Sequence, residues 1–176
     1  IDCVYTGRNF HLLGYGIRRG AAAIEEIAAN VHKQELQASA QLLEKVRALG
    51  FFFDEKQVQG KARNGVVVAE ILAEVILADP RNDAQKLLRP FRKGGNQSDN
   101  PFVNFFWTFC AQGKAAYVPM YYVSLATAVY AIHKNGGVAI LAHPGANMGR
   151  NAAMTGSIIQ AGIDGIEAYS NYHDPV

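Results

Sequence analysis

Across 176 residues the chain has two cysteines, one tryptophan and only a small excess of positive charge. Cys3 and Cys110 stand far apart in the sequence and match no metal-ligand spacing, so two free thiols in a reducing, cytoplasmic compartment are expected. No apolar run approaches the roughly 20 residues that a membrane-spanning helix needs, and the start shows no basic region leading into an apolar stretch and a cleavage site. A membrane partner is therefore not expected. The 17 basic and 15 acidic residues leave a net charge of +2, and the basic ones are scattered. That distribution carries no electrostatic footprint for duplex nucleic acid, but leaves a small phosphorylated substrate open. No internal repeat or low-complexity tract is present, and nothing in the composition reads on the oligomeric state.

The sequence has the profile of an ordinary globular protein, 49% hydrophobic and 18% charged. Ile1 to Tyr5 and Phe10 to Ile17 are extended, β-branched and aromatic runs, and Thr6-Gly7-Arg8-Asn9 between them is turn chemistry, so a hairpin is expected. Alternation places His11, Leu13 and Tyr15 on one face. Helical spacing of Ile24, Ile27, Val31, Leu42, Val46 and Leu49 predicts a long helix from Ala22 to Leu49, stopped by Gly50. A second helix is expected over Val66 to Leu77, ending before Asp79-Pro80. Arg89 to Asn100 reads as a loop of low apolar content. Asn100-Pro101 opens an aromatic-rich helix that Gly113 ends, and Ser124 caps another reaching Asn135. Strand Val138 to Ala142, a helix near Ala152 to Ala161 and strand Gly165 to Tyr169 complete a βαβ pattern, for which a right-handed crossover is the default.

The expected organisation is thus α/β at both ends, residues 1–20 and 125–176, interrupted by a mainly helical insertion over 21–124. Since Ile1 already reads as strand and Asp174-Pro175-Val176 as loop, both ends are expected to be cut.

His143 directly follows the apolar strand Val-Ala-Ile-Leu-Ala and precedes Pro144-Gly145. In α/β folds the C-terminal ends of parallel strands are where ligands and metals bind. A lone histidine more often bonds a neighbouring loop, but this position favours function. His11 lies within the second hairpin strand and needs a hydrogen-bond partner or a metal if buried; alone it reads more often as a satisfied core histidine. His173 is balanced between substrate contact and solvated loop. His32 and His133 read as solvated helix faces, and Glu167 is balanced between an ion pair and catalysis. Arg89, Arg92 and Lys93 beside Gly94-Gly95 supply the donors with which proteins hold phosphate, although charged loops are usually only solvated. Asp54, Glu55 and Lys56 read as helix-end or surface charges.

Gly-Gly-Val-Ala-Ile-Leu-Ala-His-Pro-Gly at 136–145 and Gly-Ile-Asp-Gly-Ile-Glu-Ala-Tyr-Ser at 162–170 resemble the late core of the polymerase-and-histidinol-phosphatase domain. Phe10-His11-Leu12-Leu13-Gly14-Tyr15 resembles its earlier strand, and Ser98 to Phe105 is similar to the helical insertion of a bacterial branch. The resemblance implies a distorted, TIM-like (β/α)7 barrel holding two or three divalent ions, manganese, iron or zinc, with His11 and His143 among the ligands. It implies further ligands, an early His-X-His with an aspartate, another histidine, a glutamate just ahead of Ile1 and a late Asp-X-His, none of which is in this sequence. The implied chemistry is metal-assisted hydrolysis of a phosphate ester. The insertion would cover the barrel mouth, with Arg89, Arg92, Lys93 and His173 as candidate substrate contacts.

Three functional classes follow. The first is a phosphoesterase acting on a small phosphomonoester, nucleotide or cyclic phosphate. The second is a non-catalytic accessory or binding module of a larger assembly, and the third is an unrelated metal-dependent amidohydrolase. Fold analogy alone does not separate them.

Overall fold

Thr6 and Gly7 both adopt positive φ, 46° and 76°, as the two-residue turns that match strand twist require. The computed structural model describes residues 1–148 and 151–170, and this turn sets the first register in it. Strands β1 (Asp2–Tyr5) and β2 (Arg8–Tyr15) pair antiparallel, with Tyr5 opposite Arg8 and Asp2 opposite His11. The connection is therefore shorter than the four residues the turn chemistry suggested. Arg8 and Asn9 join the ladder, which satisfies backbone groups that a longer loop would leave to solvent.

Strand β3 (Val123–Ser124) lies parallel to β1, β4 (Val138–Leu141) antiparallel to β2, and β5 (Gly165–Ile166) parallel to β4. The described sheet has five strands in the order β3-β1-β2-β4-β5. The amphipathic helix that covers it spans Leu125–Lys134. Ser124 begins this helix as expected, its Oγ accepting the Thr127 N–H at 3.1 Å. Leu125, Ala128, Val129 and Ile132 of the helix pack with Phe10, Leu12, Ala139 and Leu141 of the sheet, all at most 5% exposed. Alternation thus buries Phe10 and Leu12 and turns His11 to the other face.

The chain divides into two compact units, Ile1–Val31 with Tyr121–Val176, and His32–Met120. Helix α1 (Ala22–Ala48) runs through the first boundary and stops where Gly50 takes φ 85°, its N–H bonded to Arg47 O at 2.9 Å. The second unit is helical among its described elements. Helix α2 (Glu55–Lys61) begins at Asp54, whose carboxylate accepts the Lys56 and Gln57 N–H groups; of the two readings, helix-end or surface charge, Asp54 takes the helix-end one as the N-cap. Helix α3 (Ala69–Ala78) starts later than the apolar run suggested, because Val66 pairs with Arg63 in an isolated bridge. Asp79-Pro80 ends it as expected.

The stretch Arg89 to Asn100 is not wholly loop. Lys86–Phe91 is a 3₁₀ helix with Leu88 and Phe91 buried, since two apolar side chains at i and i+3 stack on one face of such a helix. Helix α4 (Pro101–Phe105), with Pro101 in its first turn, continues as a π-helical turn over Phe106–Cys110. Phe105 and Phe109 meet Phe51 and Phe91 with ring centroids 4.8 to 5.9 Å apart. Asn82, fully buried, donates to Phe52 O and Ile76 O and accepts the Phe52 N–H, which lets a polar side chain sit in an apolar core.

In the first unit helix α5 is the cover helix Leu125–Lys134, and α6 (Pro144–Met148) and α7 (Ala152–Gln160) link β4 to β5. The short α6 adds to the single helix expected there. Both cysteines are free and buried, and burial raises the thiol of Cys3 to about 11 and that of Cys110 to about 12. Among the described residues no helix is long and apolar enough to cross a membrane.

Candidate metal centre

Leu12 pairs with Leu141 in the β2–β4 ladder, and the Ala142 N–H bonds His11 O at 2.9 Å. This register carries the residue after β4 to the side of His11. His11 Nδ1 and His143 Nε2 are 3.1 Å apart, with the rings edge to face at 86° and centroids 5.0 Å apart. Two histidines separated by most of the sequence are brought together.

The outer nitrogen of each ring has a defined partner. His11 Nε2 lies 2.9 Å from Asp2 Oδ1, placed directly opposite by the hairpin register. A carboxylate only accepts, so His11 Nε2 is the donor. Asp2 is held below the usual carboxylate range by this hydrogen bond, against a smaller opposing effect of burial; the same bond raises the imidazole of His11. His143 Nδ1 is 3.0 Å from Asn147 Oδ1, while Asn147 Nδ2 donates to Asn9 O at 2.9 Å. That second bond orients the amide, leaving its oxygen toward His143, so His143 Nδ1 is a donor as well.

The two inner nitrogens face each other, an approach that a shared proton or a metal ion would satisfy. Two nitrogens bound to one ion at about 2.0 to 2.1 Å stand roughly 2.8 to 3.4 Å apart for angles between octahedral and tetrahedral. The observed 3.1 Å falls in that span, and imidazole with an outer carboxylate is a donor set suited to divalent ions. The residues present fit a metal. Among the described residues, no group of three or more histidines, cysteines, aspartates or glutamates gathers at one point.

His143 has φ 30°, a strained conformation for a residue with a side chain. Glu167 Oε2 accepts the His143 N–H at 2.7 Å, and the Glu167 N–H bonds Leu141 O at 2.9 Å, so β5 holds the turn in place. Glu167 thus anchors the backbone of the His143 turn. His133 is likewise more than a solvated face: its Nε2 lies 2.6 Å from Asp164 Oδ2, and Asp164 also accepts the Ala139 N–H at 2.7 Å. These bonds, the backbone one first, hold the Asp164 carboxyl below its ordinary value. His32 is half-buried on α1, with Glu35 3.7 Å away.

The basic residues fall in the helical unit. Arg89 and Lys93 are exposed; Arg92 is half-buried, donating to Leu77 O at 3.3 Å with Asp83 3.1 Å away. Arg92 thereby ties the segment after Phe91 to the end of α3. His173 lies outside the described residues. Sequence reasoning missed Asp2 and Asn147. Asp2 was recoverable from the hairpin with a two-residue turn, and Asn147 from its position four residues after His143.

No protein family and no curated protein matches the chain by sequence. Solved structures do match in fold. One is an amidohydrolase from Chromobacterium violaceum with bound sulfate and no metal, at TM-score 0.74 and 22% identity over 98% of this chain and 56% of the other. Another is a candidate metal-dependent phosphoesterase from Bifidobacterium adolescentis, at TM-score 0.72 and 18% identity over 99% of this chain and 57% of the other. The chain spans little more than half the length of either neighbour, and what it shares with them is a mixed α/β fold.

Proposed function

We propose that this chain contributes His11 and His143 to the divalent-metal centre of a phosphoesterase of the polymerase-and-histidinol-phosphatase type. The observation that carries the reading is the pair of imidazole nitrogens 3.1 Å apart, each with its outer nitrogen committed as a donor. The sheet would form part of a distorted (β/α)7 barrel. Bound divalent ions, two or three of manganese, iron or zinc, supply Lewis acidity toward water and phosphoryl oxygen. Asp2 keeps the His11 lone pair inward and raises its basicity; Glu167 holds the His143 turn. The proposed substrate is a small phosphomonoester, nucleotide or cyclic phosphate. Its phosphate selectivity rests on the resemblance at 136–145 and 162–170. A reducing cytoplasmic setting agrees with two buried free thiols.

The amidohydrolase neighbour favours a second reading, hydrolysis of an amide at the same centre. The deciding experiment screens the intact protein, loaded with manganese, zinc or iron, against phosphomonoesters, nucleoside bisphosphates, cyclic phosphates and amides. Metal-dependent release of phosphate supports the proposal. Turnover of amides alone replaces it with the second reading, and metal binding without turnover makes the chain part of an accessory module.

A further inference from the structure

We propose that Asn147 is a positioning residue that selects the tautomer of His143, so that Nε2 and not Nδ1 presents a lone pair toward His11. The proposal rests on the metal reading above and assigns a role to a residue outside the ligand set. A neutral imidazole carries its proton on either nitrogen, and its hydrogen-bond partner decides which. Asn147 lies four residues after His143, and the turn of α6 (Pro144–Met148) brings its amide to the outer edge of the ring, with Oδ1 3.0 Å from Nδ1.

An asparagine amide can be flipped, and a flipped Asn147 would offer N–H to Nδ1 and select the opposite tautomer. Asn9 prevents this. Its carbonyl oxygen accepts Asn147 Nδ2 at 2.9 Å and cannot donate to an oxygen placed there. Asn9 is itself fixed by pairing with Val4 in the hairpin, and neighbouring Arg8 reaches Asn147 O at 3.5 Å. The proton on His143 is thus determined by a backbone carbonyl of β2, the strand that carries His11. One strand supplies one ring directly and sets the tautomer of the other through Asn147.

The test uses the intact protein and two variants. Asn147→Leu removes the acceptor at similar size; Asn147→Asp keeps the acceptor but loses the donor to Asn9. Nitrogen-15 NMR of the metal-free protein at pH 8 reads the His143 tautomer, and calorimetric titration with manganese and zinc reads affinity. Wild type and Asn147→Asp are expected to hold the proton on Nδ1, with similar affinities. Asn147→Leu is expected to move it to Nε2 and to weaken metal binding by about 10- to 100-fold. An unchanged tautomer in Asn147→Leu overturns the proposal. So does an Asn147→Asp variant as weak as Asn147→Leu, since Asn147 would then act only as a fastener between α6 and β2. If the tautomer responds as stated but wild type binds neither ion, the metal reading fails and the tautomer assignment stands.

Discussion

Asp2 faces His11 across the β1–β2 pair, and its Oδ1 stands 2.9 Å from His11 Nε2. The turn at Thr6-Gly7 creates this contact: each added turn residue would slide the pairing and put a different side chain opposite His11. Asp2→Ala in the intact protein is expected to weaken manganese affinity by roughly 10- to 100-fold, the usual effect of losing an outer carboxylate. Asp2→Asn, which keeps an acceptor oxygen, should fall between. Calorimetric titration checks both, and equal affinities for all three proteins would separate Asp2 from the centre.

His11→Ala and His143→Ala are each expected to abolish turnover and lower the metal content measured by mass spectrometry. Because both rings converge on one point, their effects should not add. The double variant is expected to be no worse than the poorer single variant. Independent, additive losses would place the two histidines at separate sites.

Asp164 predicts an acid-sensitive contribution to stability. Its folded carboxyl sits below the ordinary value of 3.8, through the Ala139 N–H and then His133. The contribution is therefore present above the unfolded value and drains away as pH falls through the lower folded value. Asp164→Asn should melt below wild type at pH 6, with the gap closing as the pH falls below 3.8. A gap of constant size across that range in calorimetric scans would show that ionisation of Asp164 is not its source.

Two glycines in the helical unit should respond oppositely to alanine. A Cβ on Gly95 would lie 2.5 Å from Arg89 O and closer still to Pro90 O, all backbone, so Gly95→Ala is expected to cost about 1 to 3 kcal/mol. Gly60 in α2 has open space, and Gly60→Ala should stabilise by roughly 0.5 to 1 kcal/mol. Urea unfolding of the two variants measures the contrast.

Phe105 is fully buried and touches Phe51, Phe91 and Phe109. Phe105→Ala should cost about 3 to 5 kcal/mol by loss of burial and a residual cavity. Phe102→Ala, on the same helix but exposed, should cost well under 1 kcal/mol by the same urea assay.

Much of the local structure was legible because it depends on neighbours in sequence. Gly50 ends α1, Ser124 caps α5 and Asp79-Pro80 ends α3, each through backbone chemistry within a few residues. Errors arose where a distant partner competes with the local pattern. Phe91 reads as part of a loop of low apolar content until the Phe105 and Phe109 side chains gather near it.

The sequence by itself determined that a histidine closes the β4 strand, that another sits in the second strand of a hairpin, and which face of each strand is apolar. These follow from side-chain periodicity and from proline and glycine, whose preferences are intrinsic. Only the tertiary structure decided that the two rings meet at 3.1 Å, that Asp2 and Asn147 settle their protons, and that Glu167 holds a strained turn. The reason is physical: hydrogen-bond direction depends on register and on the packing of α6 beside β2. A shift of one residue in either would change every partner while leaving the sequence pattern the same.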